Sequence, residues 1–393
     1  MTINTATNSR ENLMNVKIIL MLSMIHFIGD FYASFINPLL PVFVEKYSLT
    51  LAQVGLIAAI NRLLAFLVQP TVGYFADHYR TRFFILGGPL LSALFIPLTG
   101  IAPSYWTLLF FIMLGSVGTS MFHPSTAGMI STYSGNKFGL SMSIFNTGGT
   151  FAFTLGPLFI TTVVASYGLE KVPYTMFFGF LVLIYLYKNV PYPQIEGMAE
   201  FGFLGSLKEV FGKVWKPVLL IWIIMVLRAY VGQSIQTFTP VMIAQEGYQL
   251  TTIGFISSFM VLAGTISGII TGHLSDKIGF KPIIYVAHAL MPVCILLLVN
   301  LRGPWLFLGA FATGFSIMAT LPLGVTMAQK IAPKGKSMVS SLMMGLAFGL
   351  GGMMSPITGK LADMYSIKTV MSCIAFIPLL TLIPLYFVPE PKN

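Results

Sequence analysis

The sequence predicts an all-α integral membrane protein of twelve transmembrane helices, arranged as two parallel six-helix repeats with both termini cytoplasmic. Three observations lead there. Charged side chains are scarce, apolar runs of membrane-spanning length recur along the whole chain, and the two halves coincide at one constant offset.

Of the 393 residues, 56% are hydrophobic and only 9% are charged, against roughly 25% charged in a soluble domain. Water is therefore not the solvent for most of this surface. A helix needs about 20 apolar residues to cross a bilayer. Spans of that kind are expected at 17–44, 51–76, 82–101, 105–131, 138–166 and 173–189, and again at 215–242, 251–275, 281–300, 304–331, 337–362 and 367–388. Pro, Gly or charge punctuates the breaks, as at Ala102-Pro103, Ser134 to Lys137, Pro191 to Gly205 and Pro333 to Lys336. The first run continues to Val44, too long for a cleavable signal core, so a retained N-terminus is expected. Cys294 and Cys373 sit in apolar stretches and imply neither a disulfide nor a metal framework.

The formal charge of +10 is scattered through loops between apolar spans, which argues for membrane topology and against nucleic acid. With the N-terminus inside, Arg10, Lys17, Arg80, Arg82, Lys137, Lys188, Lys208, Lys213, Lys216, Lys277, Lys281, Lys330, Lys334, Lys336 and Lys392 are cytoplasmic. Only Lys46, Lys171, Arg302, Lys360 and Lys368 are then outside. The domain division that follows is a bundle over 1–188, a cytoplasmic linker over 189–214 and a second bundle over 215–393.

A shift of 199 places Pro41 on Pro240, Gly55 on Gly254, Gly73 on Gly272, Asp77 on Asp276, Trp106 on Trp305, Gly115 on Gly314 and Pro157 on Pro356. Six spans is an even number, so the second half enters the bilayer in the same orientation as the first. Parallel repeats of this kind place a substrate site between the halves near the midplane.

The loop after the second span carries Gly73, Asp77 and Arg82, with Arg80 between them; the loop after the eighth carries Gly272, Asp276, Gly279 and Lys281. Both resemble the loop signature of the major facilitator superfamily, the second at every key position and the first with Arg80 in the place of a Gly. His26-Phe-Ile-Gly-Asp30, Gln69-Pro70, Phe122-His123-Pro124, Gly148-Gly149 and Gly156-Pro157 resemble the fosmidomycin-resistance branch of that superfamily. The resemblance implies the major facilitator fold and proton-driven drug efflux. Ser125 follows His123-Pro124 where the branch has an acidic residue, and Arg62 is unusual for the branch.

Ionisable groups in mid-membrane cost about 2.5–3.5 kcal/mol each on insertion scales and signal function by default. Asp30, Arg62 and Arg228 are such groups. Ser23, His26, Asp30, Ser34 and Asn37 share one helical face in an otherwise apolar span, a face expected to line a wet cavity. A carboxyl poised between desolvation and a nearby Arg exchanges protons readily. Asp30 and His26 are therefore the expected proton-coupling pair, with an Asp30–Arg62 or Asp30–Arg228 structural ion pair as the alternative. Arg62 and Arg228 match a carboxylate or phosphonate in two-pronged geometry. Asn37, His123, Asn146, Gln233 and Gln236 complete the expected substrate-binding set.

No phosphate-binding loop, nucleophilic triad or metal-spaced Cys/His cluster occurs, so neither an enzyme nor a cofactor or metal is expected. The expected protein is a secondary active transporter of the bacterial inner (cytoplasmic) membrane, working by alternating access. Its partners are protons, a small-molecule substrate and the lipid bilayer. It is expected to be a monomer, because the repeat already supplies both bundles. Proton-coupled export of a small organic compound or drug is one reading; proton-coupled uptake or exchange of a small organic anion is the other.

Overall fold

The computed structural model describes residues 13–78, 82–193, 212, 214–332, 339 and 341–390. These residues are helical throughout, with no strand among them. Twelve candidate spans are present among them. They are α1 (Val16–Tyr47), α2 (Leu51–Gln69, its helix running on to His78), α3 (Phe83–Ile101), α4 (Tyr105–Tyr133), α5 (Phe138–Tyr167) and α6 (Leu169–Asn189). The series continues with α7 (Trp215–Gln245), α8 (Leu250–Ile278), α9 (Phe280–Asn300), α10 (Trp305–Ile331), α11 (Leu342–Met364) and α12 (Ile367–Phe387). Every expected span is met, because length and apolarity alone suffice to specify a helix whose backbone must satisfy its own hydrogen bonds in lipid.

The chain groups by contact into two compact units, Met1–Ile36 with Leu67–Met198, and Asn37–Phe66 with Ala199–Asn393. The boundary inside α1 falls just after a break in that helix at Ser34 and Phe35.

In the first unit α1 packs on α5, and glycines set the distance. A Cβ on Gly148 would strike the backbone oxygen of Ser23, and one on Gly156 would strike the Ser34 hydroxyl. The Ser23 hydroxyl donates to Ile144 O (2.8 Å) and that of Ser34 to Phe31 O (2.6 Å). His26, Asp30 and Ser34 on the polar face of α1 are thus buried in the first unit, with Ser23 half-buried beside them. Small residues permit this approach in membranes, where packing and interhelical hydrogen bonds replace hydrophobic exclusion. At the end of the unit, Arg82 donates from Nη1 to Tyr187 O (2.8 Å) and Val190 O (2.9 Å), just past the last turn of α6. A cation at a helix C-terminus meets carbonyls that no backbone N–H satisfies.

The second unit repeats that contact. Lys281 Nζ donates to Tyr386 O (3.2 Å) and Val388 O (2.8 Å) at the end of α12. Here the N-terminus of α2 is capped by Asp363 of α11, whose carboxylate accepts from Leu51 N (2.8 Å) and Ala52 N (2.9 Å). Glu246, after α7, pairs with Arg302 and Lys368, both at 2.6 Å.

The span α10 is interrupted. Its helix stops at Met318 and resumes at Leu321, with Pro322 next. Proline lacks the N–H that would bond four residues back, so carbonyls near the break need other donors. Thr271 of α8 donates to Ala319 O (2.9 Å), and Arg228 of α7 donates to Ile317 O (2.8 Å). The break therefore creates the seat in which Arg228 is held.

Candidate functional site

Two clusters of ionisable side chains lie inside the spans, one in each unit. In the first, Asp30 of α1 meets His26 one turn earlier and His123 of α4. His26 Nε2 is 3.1 Å from Asp30 Oδ2, and His123 Nε2 is 3.5 Å from Oδ1. Asp30 is 4% exposed and His26 7%, while the side chain of His123 keeps 30%. Phe122 and Phe145 wall the cluster. Phe145 stands 4.2 Å from the His26 ring centroid, and Phe122 stacks on His123 at 4.2 Å. Gly149 of α5 closes it: a Cβ there would strike His26 Nε2 and approach Asp30 Oδ2 to 2.8 Å.

The hydrogen-bond roles follow from the partners. His26 Nδ1 faces Phe145 O (2.9 Å) and His123 Nδ1 faces Thr119 O (2.7 Å). A carbonyl oxygen only accepts, so both Nδ1 atoms carry hydrogen. Each neutral imidazole then turns an Nε2 lone pair toward the Asp30 carboxylate. Acceptor would face acceptor unless a proton sits between them. With one added proton the cluster is neutral overall, which is the charge state a low-dielectric interior favours. Asp30 Oδ1 has no hydrogen-bond partner among the described residues, so one acceptor is left for a further proton. The three donor atoms lie within 4.8 Å of one another, a set that a transition metal also suits in chemical type.

Gly149→Ala is expected to reduce transport at least about tenfold while costing roughly 1–3 kcal/mol of stability from overpacking. Detergent-solubilised melting curves alongside flux assays separate the two effects. Unchanged flux would show that the close approach at Gly149 is immaterial.

The second cluster surrounds Phe348 of α11. Arg228 of α7 is 2% exposed. Its Nε donates to Thr320 Oγ1 (3.1 Å), its Nη2 to Ile317 O, and its guanidinium carbon lies 5.5 Å from the Phe348 centroid. Arg62 of α2 lies 6.0 Å from the same centroid and donates from Nε to Gln233 Oε1 (2.7 Å). Gln233 in turn donates from Nε2 to Thr237 Oγ1 (3.0 Å). Among the described residues Arg228 has no carboxylate partner, and the ion-pair partners of Asp30 are His26 and His123. Within the first unit the carboxylate of Asp30 is thus met by two imidazoles. The i, i+4 spacing brings His26 to the carboxylate within α1, and the packing of α4 on α1 brings His123.

Of the other expected residues, Asn37 and Gln236 are half-buried in the second unit, and Asn146 is exposed on α5. Gly279 has φ +83°, a conformation that favours glycine, and a Cβ there would meet Glu390 Oε1 at 2.6 Å. Gly272 is half-buried and Asp276 exposed near the end of α8. Gly73 and Asp77 belong to the helix that extends α2; Arg80 lies outside the described residues. Spacing gave no hint of Phe348, Thr320 or His288 as surroundings of Arg228. Pro322 was the available signal for the seat of Arg228 on α10, since a proline in mid-span frees carbonyls.

Twelve helices long and apolar enough to cross a bilayer, with ionisable side chains buried among them, mark a multi-pass membrane protein. The chain belongs to the Major Facilitator Superfamily, whose family profile matches residues 22–356. It is 28% identical over 390 residues to the fosmidomycin resistance protein of Escherichia coli (strain K12), covering 95% of this chain and 92% of that protein. It is 26% identical over 372 residues to the multi-drug resistance efflux pump PmrA of Streptococcus pneumoniae serotype 4, covering 89% and 91%. A crystal structure of a bacterial homologue of the human lysosomal transporter Spinster, inward-facing and occupied, has the same fold. It matches with a TM-score of 0.80 at 14% identity over 95% of this chain and 96% of that one. The resemblance to the superfamily and its fosmidomycin-resistance branch is thus met.

Proposed function

We propose that the protein is a proton-coupled antiporter that exports a small organic compound across the bacterial inner membrane by alternating access. The observation that carries this reading is the buried His26–Asp30–His123 cluster, whose two Nε2 atoms and carboxylate need a shared proton. Asp30 and His26 are the coupling residues, and His123 joins them rather than the substrate set. Relatives named for fosmidomycin and multi-drug resistance support the direction of transport. Arg62, Arg228, Gln233, Gln236, Asn37 and Asn146 form the substrate set.

The parallel repeat over 1–188 and 215–393, with a cytoplasmic linker and both termini inside, is part of this reading. The matching seats of Arg82 and Lys281 at the ends of α6 and α12 support it. So does the lysine and arginine bias of the loops. The protein acts as a monomer, and the loop residues Gly73, Asp77, Arg82, Gly272, Asp276, Gly279 and Lys281 govern the conformational cycle.

Uptake or exchange of a small organic anion is the second reading. Two guanidiniums around one phenyl ring, the buried one without a carboxylate partner among the described residues, favour it.

Everted vesicles separate the two. Respiration acidifies the lumen, and a pH-sensitive dye follows it. Fosmidomycin and a panel of chemically unlike antibiotics are added outside. Export by antiport predicts that an active compound raises lumenal pH in vesicles containing the protein and not in empty ones. Proton symport predicts a response only when the compound is preloaded in the lumen. Silence across the panel in both arrangements would sink the proton-coupled reading.

A further inference from the structure

Arg228 does not stand alone in its seat. Thr320, which accepts from Arg228 Nε, lies 3.2 Å from His288 Nε2 of α9, and His288 Nδ1 lies 2.6 Å from Thr381 Oγ1 of α12. Thr381 Oγ1 donates to Pro378 O at 2.5 Å. His288 and Thr381 are 0% exposed and Thr320 is 2% exposed.

The donors and acceptors of this chain can be assigned one by one. A guanidinium only donates, so Thr320 Oγ1 accepts from Arg228. The single hydroxyl hydrogen of Thr381 goes to the Pro378 carbonyl, so Thr381 Oγ1 accepts from His288, and His288 carries hydrogen on Nδ1. The hydroxyl hydrogen of Thr320 is then left for His288 Nε2, which accepts. An imidazolium in this place would lose that bond and set a second cation beside Arg228 in a dry interior. The polarity runs one way, from Arg228 through Thr320, His288 and Thr381 to Pro378 O, and ties α7, α10, α9 and α12 together.

We propose that Thr320, His288 and Thr381 form a positioning relay that fixes the guanidinium of Arg228 against Phe348, with His288 held neutral in the Nδ1–H tautomer. Its consequence for transport rests on Arg228 being a substrate contact; the relay itself does not. Both ends of the relay use backbone carbonyls in proline-interrupted spans, at Ile317 before Pro322 and at Pro378. Breaks in two helices thereby determine where one charge points. The oriented ladder leaves Arg228 Nη1 without a hydrogen bond among the described residues.

The test has two arms. Solid-state NMR on protein labelled with nitrogen-15 at histidine and arginine reads the relay directly, with His288→Gln identifying the resonance. The expected result is an Nδ1–H tautomer for His288 and a slowly exchanging Arg228 Nε–H. Thr320→Val, which keeps shape and removes the hydroxyl, should accelerate that exchange at least about tenfold, the effect of one charged hydrogen bond. Thr320→Ser should behave as wild type. An Nε2–H or doubly protonated His288, or unchanged exchange in Thr320→Val, overturns the relay. In the vesicle assay with fosmidomycin, Thr320→Val should raise the apparent KM about tenfold at unchanged maximal rate. It should add nothing in an Arg228→Met background, as expected for residues acting through one group. A KM effect that persists without Arg228 overturns the positioning role. If the wild-type protein moves no compound of the panel, the transport reading falls and the NMR arm still decides the relay.

Discussion

Asp30→Asn is expected to abolish compound-driven proton release while leaving compound exchange across ungradiented vesicles intact. Asparagine has the shape of aspartate and still offers a donor to one of the two imidazoles, so the α1–α4–α5 packing survives. What disappears is the ability to take and give a proton. The amide NH2 donates to one Nε2, the amide oxygen faces the lone pair of the other, and His26 and His123 each remain neutral. A positioned proton-transferring side chain contributes about 10²–10⁴-fold to the steps it serves; a fall of at least about 100-fold in proton flux is therefore expected. Counterflow of labelled compound, which needs no net proton movement, should stay within about threefold of wild type. Proton release at wild-type rate in Asp30→Asn would move the coupling elsewhere and reduce the cluster to a structural knot.

Arg228→Met is expected to weaken anionic compounds by about 10–100-fold while moving the melting temperature by only a few degrees. Two opposing terms govern stability. Removing a mid-membrane cation recovers about 2.5–3.5 kcal/mol. Losing its bonds to Ile317 O and Thr320 Oγ1 costs about 1.5–3 kcal/mol for each charged hydrogen bond, partly restored as neighbours repair. The sum lies near zero. No such cancellation protects binding, where a charge-assisted contact to an anion is lost outright. Neutral compounds should bind Arg228→Met as well as wild type. Equal weakening of neutral and anionic compounds would show that Arg228 shapes the site rather than reads charge. Thermal shift and competition binding on the purified protein give both numbers from one preparation.

The helices were legible because apolar length is a one-dimensional property. The reading of 215–242 became Trp215–Gln245, and that of 337–362 became Leu342–Met364. The His26–Asp30 pair was legible for the same reason, since i, i+4 neighbours touch on any helix. The contact of His123 with Asp30 was not, because nothing in spacing along α1 reveals which face of α4 arrives. The offset of 199 between halves relates equivalent positions and not touching ones, which is why it suggested an Arg as the Asp30 counter-ion. Gly148, Gly149 and Gly156 were read as family marks. Their physical meaning is the close approach of α1, and that depends on what lies opposite. Thr320 and His288 were visible only as polar residues in separate spans, because a helix break at Pro322 had to bring one toward the other.

The seats of Arg82 and Lys281 also order events during synthesis. Each cation waits for carbonyls that lie over a hundred residues downstream, Tyr187 and Val190 for one, Tyr386 and Val388 for the other. While the chain emerges from the ribosome, the first seat cannot form until the sixth span has left the exit tunnel. The second waits in the same way for the twelfth span. Each seat is thus completed by a helix that follows its cation by over a hundred residues, and a truncation before residue 186 or 385 would strand a cation that the longer chain keeps occupied.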